Sequence, residues 1–252
     1  MQGFFRKLPV LSIVAAASLT LGACAANQNR VIVADGIEVN DPFEEVNRGV
    51  MQVNEAVDKV VLEPVARGYR FVTPEAFQYA LRNFLRNLKS PIIIANQLLQ
   101  GDLTGTANAT GRFVINTLAG FGGILDLAEE GGIPYEPEDF GQTLAVWGVG
   151  NGPYLVVPLL GPSTARDATG ALVDMYADPL RIYLFNTDRE GWHYGRIAAG
   201  VIDQRAEMLD IVDDLRRNSF DYYAAVRSAY IQRRHALVND MSPDAAAIPD
   251  FD

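Results

Sequence analysis

The chain has 252 residues, 31 of them acidic and 21 basic, with a formal charge of −10 and 49% hydrophobic residues. That balance argues against nucleic acid, which demands a basic surface, and against simple adsorption to anionic headgroups, which needs basic clusters. A single cysteine, Cys24, excludes a disulfide within one chain.

The first segment is a targeting signal. Arg6 and Lys7 precede an almost uncharged apolar stretch, Leu8 to Thr20, and then Leu21-Gly22-Ala23-Cys24. A positive start, an apolar middle and small residues at the cut describe a secretory signal. A Cys directly after them makes it a bacterial lipoprotein signal, with lipidated Cys24 as the first mature residue. The apolar stretch is short for a span, which needs about 20 residues. Ala25 in place of Asp favours the outer membrane, with the lipid anchor on its periplasmic side. Loss of residues 1–23 takes two bases and no acid, so the formal charge moves from −10 to −12. No later run approaches the ~18 uninterrupted apolar residues of a spanning helix.

Residues 24–40 lack helical periodicity and read as a tether. Asp41-Pro42-Phe43-Glu44 reads as a helix start, with Asp41 as cap and Glu44 closing a capping box. Phe43, Val46, Val50, Val53, Val57 and Val60 follow at three-four spacing as one apolar stripe. Thr73-Pro74 starts a second helix, and Ser90-Pro91 a third, Ile92 to Gln100, closed by Gly101. That third helix is apolar on nearly every side, which marks it as buried or lipid-facing. From Thr104 to Leu118 the pattern inverts, and Asn108, Arg112 and Asn116 make one polar line along an otherwise apolar helix. Leu144–Val149 and Tyr154–Leu160 are β-prone runs around Gly148-Val149-Gly150-Asn151-Gly152-Pro153, which predicts a hairpin. Ser163 can cap a helix through Val173, and Pro179 to Phe185 is short, apolar and aromatic. Trp192 to Arg217 and a Ser219-capped Phe220 to Leu237 read as two closing helices. The expected division is a signal peptide (1–23), a lipidated tether (24–40), one helical domain (41–238) and an acidic disordered tail (239–252).

These landmarks together resemble the MlaA/VacJ family of outer-membrane phospholipid-transport lipoproteins. The matching stretches are Asn40-Asp41-Pro42-Phe43-Glu44 with Asn47-Arg48, Asn83-Phe84 with Asn87-Leu88, and Asn96-Gln97-Leu98-Leu99-Gln100-Gly101-Asp102. They continue with Arg112-Phe113-Val114-Ile115-Asn116-Thr117, Gly120, Gly123 and Asp126. The densest block runs from Phe140-Gly141-Gln142-Thr143-Leu144 through Trp147-Gly148-Val149-Gly150 and Gly152-Pro153-Tyr154 to Gly161-Pro162-Ser163 and Arg166-Asp167. Asp221, Tyr223, Arg227 and Tyr230 close it. The resemblance implies a mainly α, ring-like single domain with one short glycine-rich β-hairpin, embedded in the inner leaflet of the outer membrane. It implies a trimeric porin as partner, and a central amphipathic channel that returns mislocalised outer-leaflet phospholipid to a soluble periplasmic carrier. It implies neither a cofactor nor catalytic residues.

The chemistry of the chain offers candidates for such a path. Asn108, Arg112 and Asn116 can present donors to a phosphate at one-turn intervals, or form a buried stripe satisfied by loop carbonyls. Asn83 and Asn87 repeat the spacing and leave the same alternatives. Gly148, Gly150 and Gly152 permit backbone conformations closed to other residues; in the family this hairpin gates the channel, and Tyr154 packs or anchors its base. Tyr183, Phe185, Trp192 and Tyr194 suit a lipid interface, or a core cluster. Arg166 and Asp167 read as a structural pair, and Arg227, Arg233 and Arg234 as a solvated face.

The rivals are an enzyme and a structural lipoprotein that supports porin or envelope assembly without moving lipid. Gly161-Pro162-Ser163-Thr164-Ala165 has the outline of a nucleophile elbow, but the last glycine and the βαβ series are absent. His193 and His235 have neither a visible carboxylate partner nor metal-ligand spacing. The sequence argues against catalysis.

Overall fold

A computed structural model describes residues 31–34 and 37–241. Cys24, the segment before it and the tail from residue 242 lie outside the described residues. The elements run β1 (Val31–Ala34), β2 (Ile37–Asn40), α1 (Glu44–Val57), a π-helical segment (Asp58–Leu62), α2 (Glu63–Val72), α3 (Glu75–Gln100), α4 (Leu103–Leu118) and α5 (Leu127–Glu130). They continue with α6 (Phe140–Val146), β3 (Tyr154–Val157), β4 (Gly161–Thr164), α7 (Ala165–Ala177), α8 (Pro179–Asn186), α9 (Glu190–Glu207), α10 (Leu209–Asn218) and α11 (Tyr222–Val238). The chain is mainly α, as its periodicity predicts.

Several boundaries differ from expectation for physical reasons. Part of the expected tether is a hairpin in which Val31 faces Asn40 and Ala34 faces Ile37; its β-branched residues favour a strand. Asp41 does not cap α1, because its carboxylate is wholly buried and turned toward α11. Residues 75–100 form one helix through Pro91. An interior proline costs about 3 kcal/mol, but α3 packs against α4, α6, α8 and α9, and this packing outweighs the local break. Thr164, not Ser163, caps α7, accepting from the Asp167 N–H at 3.1 Å. Asp221, not Ser219, caps α11, and Met208 divides the expected 192–217 helix.

The glycine-rich segment is not a hairpin turn. Leu144 to Val146 belong to α6, which Asp139 caps through the Gln142 N–H. Gly148 ends α6: its N–H bonds the Ala145 carbonyl and the Val149 N–H bonds the Leu144 carbonyl, each at 2.9 Å. This double closure needs a left-handed residue, and Gly148 has φ +89°. The hairpin lies further on, with Tyr154 opposite Thr164 and Val157 opposite Gly161.

Contacts between elements close into a ring-like circuit. From α1 it passes through β3, β4, α7, α6, α3, α9 and α2, and returns through the π-helical segment to α1. Two small apolar clusters hold it. Val39, Met51, Tyr154, Val156, Tyr223 and Ile231 join both hairpins to α1 and α11. Ala66, Ala206 and Leu209 join α2 to the α9–α10 corner. Beside them Asp58 in the π-helical segment accepts from Arg205 and Arg216, both at 2.7 Å.

The helices are turned opposite to those of an ordinary globular core. Among the described residues, buried polar and charged side chains outnumber buried apolar ones. Half of the valine stripe points outward: Val46 and Val53 on α1 and Val60 in the π-helical segment are 65%, 60% and 75% exposed, while Val50 packs against the first cluster and Asn47 and Met51 are buried. Phe71, Phe77, Leu98, Leu103, Val114, Leu118 and Phe121 extend this exposed apolar surface across α2, α3, α4 and the turn after α4, while Asn87, Asn96, Gln97, Arg112 and Asn116 are buried. No helix among the described residues is long and apolar enough to cross a membrane.

Candidate functional site

Three buried polar nodes fasten the inner faces. In the first, Asp41 accepts from Asn47 at 2.9 Å, from the Tyr223 hydroxyl at 2.6 Å and from Arg227 at 2.5 Å. Asn47 also donates to the Tyr154 carbonyl at 3.0 Å and accepts from the Val156 N–H at 2.9 Å, so one side chain docks β3 onto α1. Arg227 therefore does not lie on a solvated face. Arg234 does not either: it donates to Asp139 at 2.6 Å and to Asp167 at 2.9 Å. Of the three arginines only Arg233 is exposed. Arg166 and Asp167 pair at 3.0 Å, and the Tyr230 hydroxyl donates to Asp167 at 2.7 Å. The guanidinium of Arg234, the hydroxyl of Tyr230 and Arg166 together outweigh burial and hold the Asp167 carboxyl below its usual range.

The second node receives two members of the α4 polar line. Arg112 donates to Asp126 at 2.5 Å and to the Ile133 carbonyl. Asn116 donates to Asp126 at 2.8 Å and accepts from the Ala128 N–H at 3.0 Å. Both are buried and committed to the loop after α4. Asn108 is half-buried at a narrow crevice with Ser90, Gln97, Tyr135 and Glu136. Asn87 is buried and donates to the Thr117 hydroxyl at 3.0 Å and the Gly122 carbonyl at 3.1 Å, which ties α3 to the same turn. Asn83 makes one long contact, 3.5 Å, to the Ile124 carbonyl. Gly123, at φ +96°, could not carry a Cβ, because it would lie 2.3 Å from that of Asn87.

The third node joins α3, α6 and α7. Asn96 donates to Asp174 at 3.0 Å and accepts from the Thr143 hydroxyl at 2.8 Å, and the Phe140 N–H reaches Asp174 at 2.8 Å. Beside it Gln100 donates to buried Glu138 at 2.7 Å. Burial pushes the Glu138 carboxyl up to about 7, against the Gln100 hydrogen bond and with help from Asp240, Asp139 and Glu136.

The structure brings Gly152 and Tyr154 together at a cavity of about 270 Å³ that also touches Glu38, Asn40, Asn151 and Thr164. Gly148 and Gly150 lie outside it, in the exposed loop between α6 and β3. The loop is pinned from α7: the Ala165 N–H bonds the Pro153 carbonyl at 3.0 Å, and the Arg166 N–H bonds the Asn151 carbonyl at 3.2 Å. Gly150 has open space where a Cβ would stand and no positive φ. Tyr154 is buried edge-on between the rings of Tyr223 and Tyr230, with no partner for its hydroxyl among the described residues.

A second group of polar residues was not singled out by the sequence. Arg86 lies 4.8 Å from the Tyr135 ring, and Arg181 lies 4.7 and 4.6 Å from the rings of Tyr176 and Phe185. Neither they nor Lys89 has a carboxylate within salt-bridge reach among the described residues, whereas Arg82, one turn before Arg86, pairs with Asp203 at 3.1 Å. The spacing of 82, 86 and 89 on one helix face was the signal that could have found them. Among the described residues no group of three or more His, Cys, Asp and Glu is placed to hold a metal ion.

Comparison with known proteins places this geometry among relatives. Residues 39–237 match the model of a family described as MlaA lipoprotein. The Escherichia coli K12 intermembrane phospholipid transport system lipoprotein MlaA is 34% identical over 95% of each chain. An uncharacterized protein of Rickettsia felis is 38% identical over 80% of this chain and 79% of its own. A solved chain, from work described as the structural basis for maintenance of bacterial outer membrane lipid asymmetry, superposes with a TM-score of 0.70 at 35% identity. It covers 79% of this chain and 100% of its own.

Proposed function

The chain belongs to the MlaA lipoprotein family, and from that premise we propose that it moves phospholipid across the inner leaflet of an outer membrane. In this reading Cys24 carries the lipid that delivers and orients the protein, and the body itself sits among acyl chains. Phospholipid that has strayed to the outer leaflet passes through the circuit of helices to a soluble periplasmic carrier. A trimeric porin holds the ring in place.

One observation carries the reading: α1 to α4 each expose large apolar side chains, while Asn47, Asn87, Asn96, Gln97, Arg112 and Asn116 on α1, α3 and α4 are buried. An exposed apolar surface of this kind marks a protein or membrane interaction site, and against acyl chains it has no cost. A charged headgroup needs the opposite, a route lined with donors and water. Arg112, Asn116 and Asn87 serve this route as wall fasteners, since their donors are already occupied. Asn108 and Asn83 keep donor capacity for the path. The Gly148–Gly152 loop supplies the gate, with Gly150 as its hinge, because Gly148 and Gly152 are held at positive φ and Gly150 is unconstrained.

Complementation tests this directly. A strain lacking its own family member should lose surface-exposed phospholipid, labelled with a membrane-impermeant amine reagent, once this chain is expressed. Persistent surface phospholipid with normal porin co-purification would instead favour a structural lipoprotein.

A further inference from the structure

Arg86, Lys89 and Arg181 are three of six cations with no carboxylate in salt-bridge reach among the described residues, the others being Arg189, Arg217 and Arg233. Arg86 and Lys89 are three residues apart on α3 and so share a face. The register against α9 is fixed at two points. Arg82 bonds Asp203, and a Cβ on Gly200 would lie 3.9 Å from Leu85. The helices run antiparallel, so Lys89, one turn beyond Leu85, comes abreast of Arg196, one turn before Gly200. Arg196 is already engaged by Asp178 and by the His193 ring nitrogen at 3.2 Å. Lys89 is not engaged.

Lys89 is also both solvent-exposed and crowded. Surrounding protein pulls its ammonium pKa down, and Arg196 and Arg86 add to the effect, while Asp139 and Asp174 oppose it. Arg86 shares α3 with Lys89, and the other charges come from α7, α9 and the cap of α6, all elements of the same contact circuit. Neither acid is free to answer it. Asp139 is held by Arg234, and Asp174 by Asn96 and the Phe140 N–H. Arg86 lies over Tyr135 by its face, which leaves guanidinium N–H edges to donate.

We infer that Lys89 and Arg86 form a phosphate-binding point on the inner face of α3 that favours phospholipids with a net negative headgroup. This rests on the transport reading above. An oxyanion between two like charges relieves their repulsion and gains charge-assisted hydrogen bonds. A zwitterionic headgroup brings its own ammonium to the same cations and loses part of that gain.

The full chain, purified in detergent, is titrated with dioctanoyl phosphatidylglycerol, dioctanoyl phosphatidylethanolamine and inorganic phosphate. Phosphatidylglycerol should bind about tenfold more tightly than phosphatidylethanolamine, a difference near 1.4 kcal/mol. Lys89→Gln and Arg86→Gln should each remove most of that preference with little change for phosphatidylethanolamine. Lys59→Gln, at an exposed lysine paired with Glu55 on α1, should change neither. Equal binding of both lipids, unaltered by Lys89→Gln, would overturn the inference and leave the transport reading standing. Binding of neither lipid would overturn both. Inorganic phosphate competing as well as the lipid would assign the point to a free anion and overturn its lipid role.

Discussion

Asp41 and Lys89 stand at opposite poles of the same design. Asp41 is fully buried, and Asn47, Tyr223 and Arg227 converge on it from helices at the two ends of the chain. Lys89 is reached by solvent, and no carboxylate comes within salt-bridge distance of it among the described residues. A protein whose apolar residues point outward must hold itself together through polar contacts, and the Asp41, Asp126 and Asp174 nodes do so. Polar groups left out of such nodes are the ones available for other chemistry.

Removing a node member should therefore have the largest effect. Asp41→Ala leaves Arg227 buried without its main partner, and breaking a buried pair in this way costs about 3–5 kcal/mol. Lys89→Gln should change stability by no more than about 0.5 kcal/mol. Denaturant unfolding of the two variants side by side measures the contrast, and equal losses would erase the distinction between fastening and free polar groups.

Glu138 sharpens the comparison through pH, because it is a node neighbour held partly against its charge. Its carboxyl titrates near 7 in the fold and near 4.5 when unfolded. Below the unfolded value it is protonated in both states and the fold keeps its full stability. As pH rises from about 4.5 to the folded value near 7 the unfolded chain ionises while the buried acid does not, so the fold should lose about 3 kcal/mol over that window and no more above it. Glu138→Gln should flatten that slope in thermal melts across the same pH range. A slope that survives the substitution would place the titrating group elsewhere.

The glycine loop provides a smaller contrast. Gly148→Val forces a branched side chain into a left-handed position and should cost about 1–2 kcal/mol. Gly150→Val meets open space, so its cost should stay within about 0.5 kcal/mol, while lipid removal in the complementation assay falls if the loop hinges there. Normal lipid removal by a stably folded Gly150→Val protein would count against the gate.

Much of this fold is legible in the sequence, and the failures share a cause. Helix positions follow from the three-four spacing of apolar residues, and Gly101 closes α3 as expected, with φ +82°. Periodicity finds a stripe but does not say which side of it meets the interior, so the outward direction of Val46, Val53 and Val60 had to come from structure. The glycine segment looked like a turn because Gly148 signals a reversal equally well at a helix end. Arg227 and Arg234 looked solvated because their partners, Asp41 and Asp139, lie 186 and 95 residues away. The α4 polar line was visible, but not that Asp126 would take up Arg112 and Asn116 together.

In the proposed arrangement apolar side chains face lipid while the inner polar face stays wet. Nitroxide labels placed singly at Val60, Phe71 and Val114, and at Lys89, in protein reconstituted into bilayers, test it most directly. The first three should be relaxed by molecular oxygen and protected from a water-soluble nickel chelate, and the label at position 89 should show the reverse. Chelate access at Val60, Phe71 and Val114 equal to that at position 89 would contradict a lipid-embedded ring.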